Sequence, residues 1–261
     1  MIDYEENRDA ISIIGIQTLM DNVCHELAKR FNLYGSNGKP RKADAIETLA
    51  NSACLTCLRQ KFLGKQPLNS VDSFYKECHK LAVNVLVERL YWLFSKLGYN
   101  VEILTEAELG FGNADIVMKV SKLRLSLKHK AKVIIIEVKT GNSLSFSQLF
   151  RYMLSGESDS IIVWRIRKRQ ILIFNAECLK PLLAEFATMV YLRAKRLLST
   201  PPTACTHRPT ESHQPTQKEL QNTLKEFGQG LVETLPYVIV AVLKELGLQN
   251  WEERLLDIKQ T

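Results

Sequence analysis

Residues 133–138, Val-Ile-Ile-Ile-Glu-Val, with Lys139-Thr140-Gly141 behind them, constrain this chain more than any other stretch. β-Branched residues fill most of the run and Thr-Gly-Asn ends it, so it reads as a strand buried on both faces. Such a strand has little room for charge, yet this one carries a carboxylate and an ammonium two residues apart. Strand side chains alternate, so Glu137 and Lys139 point to the same side. Buried charge persists only when it is paired, metal-bound or opened to a cleft. Asp115 offers a partner, because it opens the preceding apolar stretch Ile116-Val117-Met118. Two acidic oxygen donors and a lysine at neighbouring strand ends can hold a hard divalent cation and steady a phosphate beside it.

Asp115, a spacer and then Glu137-Val138-Lys139 at the end of an apolar strand resembles the PD-(D/E)XK nuclease superfamily, with Ala114 in place of the proline of its name. Downstream, Gln148-Leu149-Phe150-Arg151-Tyr152 is similar to the QxxxY helix motif of the RecB-type and CRISPR-associated branches. The resemblance spans residues 78 to 175. It implies a restriction-endonuclease-like α/β fold, a mixed β-sheet core flanked by helices, here with helical N- and C-terminal extensions. It also implies a metal-dependent nuclease acting on DNA, the substrate of most resembling families. Mg²⁺ or Mn²⁺ would be held by Asp115, Glu137 and the Val138 carbonyl. Lys139 would orient the attacking water or stabilise the pentavalent transition state. Gln148 and Tyr152 would face the active site and help position the nucleic-acid strand. In the superfamily a glutamate on the first core helix often completes the acidic cluster, and Glu88 occupies the matching place.

Glu88 can also be read without the resemblance. Leu81, Val85, Glu88 and Trp92 fall at helical spacing and predict one apolar face, with the glutamate inside it. It either points at the metal site or lies at the stripe edge, paired with Arg89 or a lysine. Gln148, Arg151 and Tyr152 likewise share a helix face. Tyr152 could stack on a base and Arg151 could hold a phosphate; the alternative is a half-buried polar face against the sheet.

A net charge of +7 on 261 residues favours a polyanionic partner such as DNA. Lys122, Arg124, Lys128, Lys130 and Lys132 lie between the two motif strands, and Arg165, Arg167, Lys168 and Arg169 form a second cluster. Lys119–Lys132 reads as a long turn or projecting hairpin. His129 is a candidate proton shuttle there, and Glu106 and Glu108 are candidate extra ligands or solvated loop charges. The cysteines, at 24, 54, 57, 78, 178 and 205, are scattered in a chain without a secretory signal, so no disulfide framework is expected. Cys54-x-x-Cys57 lacks the further ligands that a structural metal needs, as do His207 and His213. No uninterrupted apolar run approaches the roughly 20 residues of a membrane span, and the acidic N-terminus is unlike a signal peptide. A cytoplasmic protein without a membrane partner is expected.

In order, residues 1–70 read as a helical N-terminal region with helices over 7–32 and 41–50. Residues 71–199 form the core. Its first helix starts at Asp72 or Ser73 and stops at Gly98. Strands follow over 100–105, from Asp115, and over 133–138. A helix capped by Ser145 or Ser147 runs to Leu154, then come strands over 160–165 and 170–174 and a helix over 177–199. Residues 200–216 are a proline-rich linker, and 217–261 a C-terminal segment of one or two amphipathic helices around Pro236. That stripe needs burial on the core or on a second subunit. A branched-DNA resolvase would be a homodimer, whereas a RecB-like exonuclease could act alone or in a larger nuclease complex. The rival function is a catalytically silent nuclease fold serving as a nucleic-acid-binding or assembly subunit.

Overall fold

The computed structural model describes residues 13–51, 62, 70–122, 131–141, 145–156, 158–200 and 215–248. Helices α1 (Ile13–Phe31), α2 (Lys42–Asn51) and α3 (Ser70–Leu97) precede strands β1 (Tyr99–Glu108), β2 (Asn113–Lys122) and β3 (Lys132–Lys139). After α4 (Phe146–Leu154) come β4 (Ser160–Arg165), β5 (Gln170–Asn175), α5 (Ala176–Ser199) and α6 (Gln217–Glu245). The Cys54/Cys57 pair, Arg124, Lys128, His129, Lys130, Cys205, His207 and His213 fall outside the described residues.

The five strands form one mixed sheet in the order β1-β2-β3-β4-β5. Neighbours are antiparallel except β3 and β4, which run parallel with α4 as their crossover. Val133–Val138 is buried throughout, as its composition requires of a strand covered on both faces. One face carries Val117, Ile135, Ile161 and Val163 under α1, α2, α4 and α5. The other carries Ile116, Met118, Ile134, Ile136, Ile162 and Trp164 under α3 and α6. The protein is thus a three-layer α/β fold, with a helix layer and a core on each face of the sheet.

Two expectations need correction. First, α3 begins at Ser70, ahead of Asp72. Its buried face is Ala82, Val83, Leu86, Leu90, Leu93 and Phe94, whereas Leu81 and Trp92 are about half exposed. The predicted stripe is the outer face, because aromatic and aliphatic residues occur all round this helix and the two stripes compete on composition. Second, β1 extends to Glu108, so Glu106 and Glu108 lie in a strand. Of the one or two helices expected around Pro236 there is one, α6, which runs unbroken through the proline. Thr223, Phe227, Gly230 and Thr234 before the proline, and Val238, Ala241 and Val242 after it, are all buried, so burial outweighs the missing N–H.

Helix α6 would be long and apolar enough, by length and composition alone, to cross a membrane; 39% of its most apolar window is buried within this fold. Its approach to the sheet is close. A Cβ on Gly230 would stand 2.3 Å from the Ile166 carbonyl oxygen, so only glycine fits. Nearby, the Trp164 indole N–H donates to Thr234 Oγ1 at 2.6 Å.

Candidate active site

The β2–β3 ladder ends with Ile116 opposite Ile136. One step further come Asp115 and Glu137, and there the backbone pairing gives way to side chains. Asp115 Oδ2 accepts the Val138 N–H at 2.7 Å. A carboxylate has taken the place of a ladder carbonyl, so the two strands part at this end and open a notch. Parting strands are what allow an acidic pair to sit at the end of an otherwise closed apolar sheet.

Four of the predicted residues meet in one hydrogen-bonded cluster here. Lys139 Nζ lies 2.6 Å from Glu137 Oε1 and donates to Gln148 Oε1 at 2.6 Å. Gln148 Nε2 donates to Glu137 Oε1 at 2.6 Å and reaches the Tyr152 hydroxyl at 2.7 Å. The Tyr152 hydroxyl donates to Glu137 Oε2 and lies 3.1 Å from the Asn113 carbonyl. The lysine fixes which way the Gln148 amide faces, because its oxygen must meet the ammonium and its nitrogen the carboxylate. Helical spacing puts Gln148 and Tyr152 one turn apart on the side of α4 that faces β3.

Burial and charge act together on these groups. Glu137 is 2% exposed. Its carboxyl is held above the usual range first by burial and then by the Asp115 charge, against the pull of Lys139 and Tyr152. Burial and Glu137 likewise raise the Tyr152 phenol, so it stays a donor at neutral pH.

The sixth member was not among the predicted residues. His79 Nε2 of α3 lies 3.1 Å from Asp115 Oδ1. That contact raises the imidazole's pKa, against the opposing effect of burial. His79 is in phase with Ala82, Val83, Leu86 and Leu90 on the buried face of α3, so choosing the right stripe would have exposed it as the ionisable residue there. Glu88 is exposed. It lies nine residues from His79, about two and a half turns at 3.6 residues per turn, and so on the opposite side of the helix. The structure does not bring Glu88 to the site. Glu106 and Glu108 are exposed as well; Glu106 takes a left-handed φ of 51° where the β1–β2 pairing skips from Thr105–Ile116 to Ala107–Ala114.

No family model, curated protein or solved structure matches the chain.

Arg151 is not available to hold a phosphate. Its side chain is 7% exposed beneath α2, 3.2 Å from Glu47 Oε2, and its Nε has no partner. A Cβ on Gly112 would come within 2.6 Å of its guanidinium. A cleft beside Asn113 is lined by Lys39, Arg41 and Lys42, among others. Each is already paired, with Glu108 at 3.9 Å, Asp44 at 2.5 Å and Asp21 at 2.6 Å respectively.

Among the described residues, no three acidic, histidine or cysteine side chains lie close enough to hold an ion by themselves. The donors present are nonetheless of the right kind for a hard cation that keeps much of its water. Such ions need one or two carboxylates, completed by waters and substrate phosphates. Asp115 and Glu137 are two carboxylates with spare acceptor capacity, since each carboxylate has about four lone-pair sites. The Val138 carbonyl is the neighbouring candidate.

Proposed function

We propose that this chain is a metal-dependent nuclease of the PD-(D/E)XK type, with a restriction-endonuclease-like core, that hydrolyses phosphodiester bonds in DNA. The observation that carries the reading is the convergence of Asp115, Glu137, Lys139, Gln148 and Tyr152 on one notch at the end of the sheet. Residues from two strands and a helix, separated in sequence, meet there in an order that a generic α/β core has no need of.

Asp115 and Glu137, with the Val138 carbonyl, would hold Mg²⁺ or Mn²⁺, and the His79 imidazole, against Asp115 Oδ1, orients that carboxylate. Such an ion, when bound, acidifies a water and offsets charge on the phosphate oxygens. The chain's own residues do the rest. Lys139 places an ammonium where negative charge grows on the reacting phosphate. Gln148 holds that ammonium from one side and Glu137 from the other. Tyr152 pins the second oxygen of Glu137, which keeps the carboxylate aimed along the strand end. The partial burial of Lys139, 22% exposed, strengthens each of these interactions relative to water.

One observation favours a second reading, a silent nucleic-acid-binding or assembly subunit. Both oxygens of Glu137 are engaged by Lys139, Gln148 and Tyr152. Labelled single-stranded, duplex and branched DNA, and an RNA control, incubated with Mg²⁺ or Mn²⁺ separate the two. Cutting that needs the metal and disappears in Asp115→Asn supports the nuclease. Salt-sensitive binding without cutting of any substrate supports the subunit.

A further inference from the structure

The two edges of the sheet are built differently. Strand β1 exposes Glu102, Glu106 and Glu108, and the left-handed backbone at Glu106 interrupts its regularity. Charge and irregularity are the usual ways in which an edge strand is kept from pairing with another chain. Strand β5, Gln-Ile-Leu-Ile-Phe-Asn, has neither. It contains no charge and no proline, and its ladder with β4 is continuous from Ser160–Asn175 to Arg165–Gln170. Among the described residues no strand covers its outer side, and Ile173 is 45% exposed.

The flank of α6 extends this surface. Glu226 and Glu233 pair with Arg167 and Arg169 of the β4–β5 turn, each at 2.6 Å. Tyr237 follows Glu233 by one helical turn on the same side and is 66% exposed. An apolar strand edge and an exposed aromatic thus lie on one side of the molecule.

We infer that the open edge of β5 pairs antiparallel with β5 of a second copy of this chain, joining the two sheets into one. A two-fold axis normal to the sheet reverses strand direction and keeps each face with its own kind, so the register must centre on a residue. Centred on Ile173, the pairing sets Ile173 against its own copy and Leu172 against Phe174. It also brings the turn Arg167-Lys168-Arg169 of each chain to the start of the other's α5, where Glu177 stands. Charge supports this choice. Arg167 and Arg169 have acidic partners within the chain, whereas Lys168 has no ion-pair partner among the described residues. Among the described residues the Glu177 side chain is held by Lys180 alone, one helical turn on. Glu177 is 75% exposed in that pair, and exposed pairs contribute little and exchange readily. A hydrogen-bonded strand edge with an apolar centre and complementary charges at both ends is a recognised mode of chain pairing.

Sedimentation velocity over a concentration series tests the inference on the whole chain, independently of any cleavage. The expected result is a dimer that dissociates on dilution. Ile173→Lys sets two ammonium groups against each other on the axis and yields a monomer. Lys168→Glu weakens the dimer by roughly two- to tenfold, since two symmetric exposed contacts are lost, and adding Glu177→Lys restores it. Leu104→Lys, on the opposite edge, leaves the dimer intact. Far-UV circular dichroism verifies folding of each variant, and the charge swap decides the matter if Ile173→Lys does not fold. A wild-type monomer at every concentration, or a dimer indifferent to both Ile173→Lys and the charge swap, overturns the inference.

Discussion

Glu137 carries a charge that burial opposes, and its neighbours answer that cost one bond at a time. The Tyr152 hydroxyl is among them, inside a side chain that is fully buried. Tyr152→Phe leaves a carboxylate oxygen unpaired in the interior and should lower stability by about 1–3 kcal/mol, measured by thermal or urea unfolding. Tyr152 also lowers the Glu137 pKa. Its loss therefore raises that pKa further and, on the proposed nuclease reading, moves the acid limb of the pH–rate profile toward neutral pH. His79 titrates above its ordinary 6.5 because of Asp115. Its contribution to stability is full below 6.5 and is lost as pH rises through the raised folded value. In metal-free Asp115→Asn the histidine should return toward 6.5, read directly by NMR titration; an unmoved titration would show that the pair does not form. Glu88→Gln should leave the proposed cleavage unchanged and stability within about 0.5 kcal/mol, as befits an exposed side chain on the far side of α3. At this scale the sequence was legible where residues are close in sequence, as in Glu137-x-Lys139 and Gln148…Tyr152. It was not legible where contact depends on packing. His79 meets Asp115, and Arg151 meets Glu47, only because whole helices settle on the sheet.

Helix α6 shows how two residues of one element can respond in opposite directions. Gly230 lies against the Ile166 carbonyl, and Gly230→Ala should destabilise by at least the 1–3 kcal/mol or so typical of overpacking, because backbone must move. Pro236 is exposed within the same helix. Pro236→Ala restores a backbone donor and removes a ring from the helix interior, where proline is about 3 kcal/mol less favourable than alanine, so the melting temperature should rise. Paired melting curves of the two variants check both signs. The element order was readable from periodicity and punctuation: the apolar strand ending in Thr-Gly-Asn, the basic turn between β4 and β5, and Gly98 closing α3 with its positive φ of 69°. The orientation of α3 was not. Its two apolar stripes are similar in composition, and only the sheet decides which one is buried.

The two helix layers share one sheet and cannot come apart separately. Unfolding followed by tryptophan fluorescence, with Trp164 buried between β4 and α6, and by far-UV circular dichroism should therefore give coincident transitions. Separated transitions would show that one layer persists without the other. Composition foretold a basic chain with enough apolar residues for a core, but not how the helices would divide between the two faces of the sheet. The parting of β2 and β3 at Asp115 has a further consequence in time. The notch takes His79 from one layer, Asp115 and Glu137 from the middle, and Gln148 and Tyr152 from the other. A chain emerging from the ribosome has synthesised the acidic pair before the helix that orders it, and the sheet cannot close on β4 until that helix has formed the crossover. The acidic pair is thus ordered only once α3, the sheet and α4 are together, and a molecule lacking one of them holds the same side chains without the arrangement that joins them.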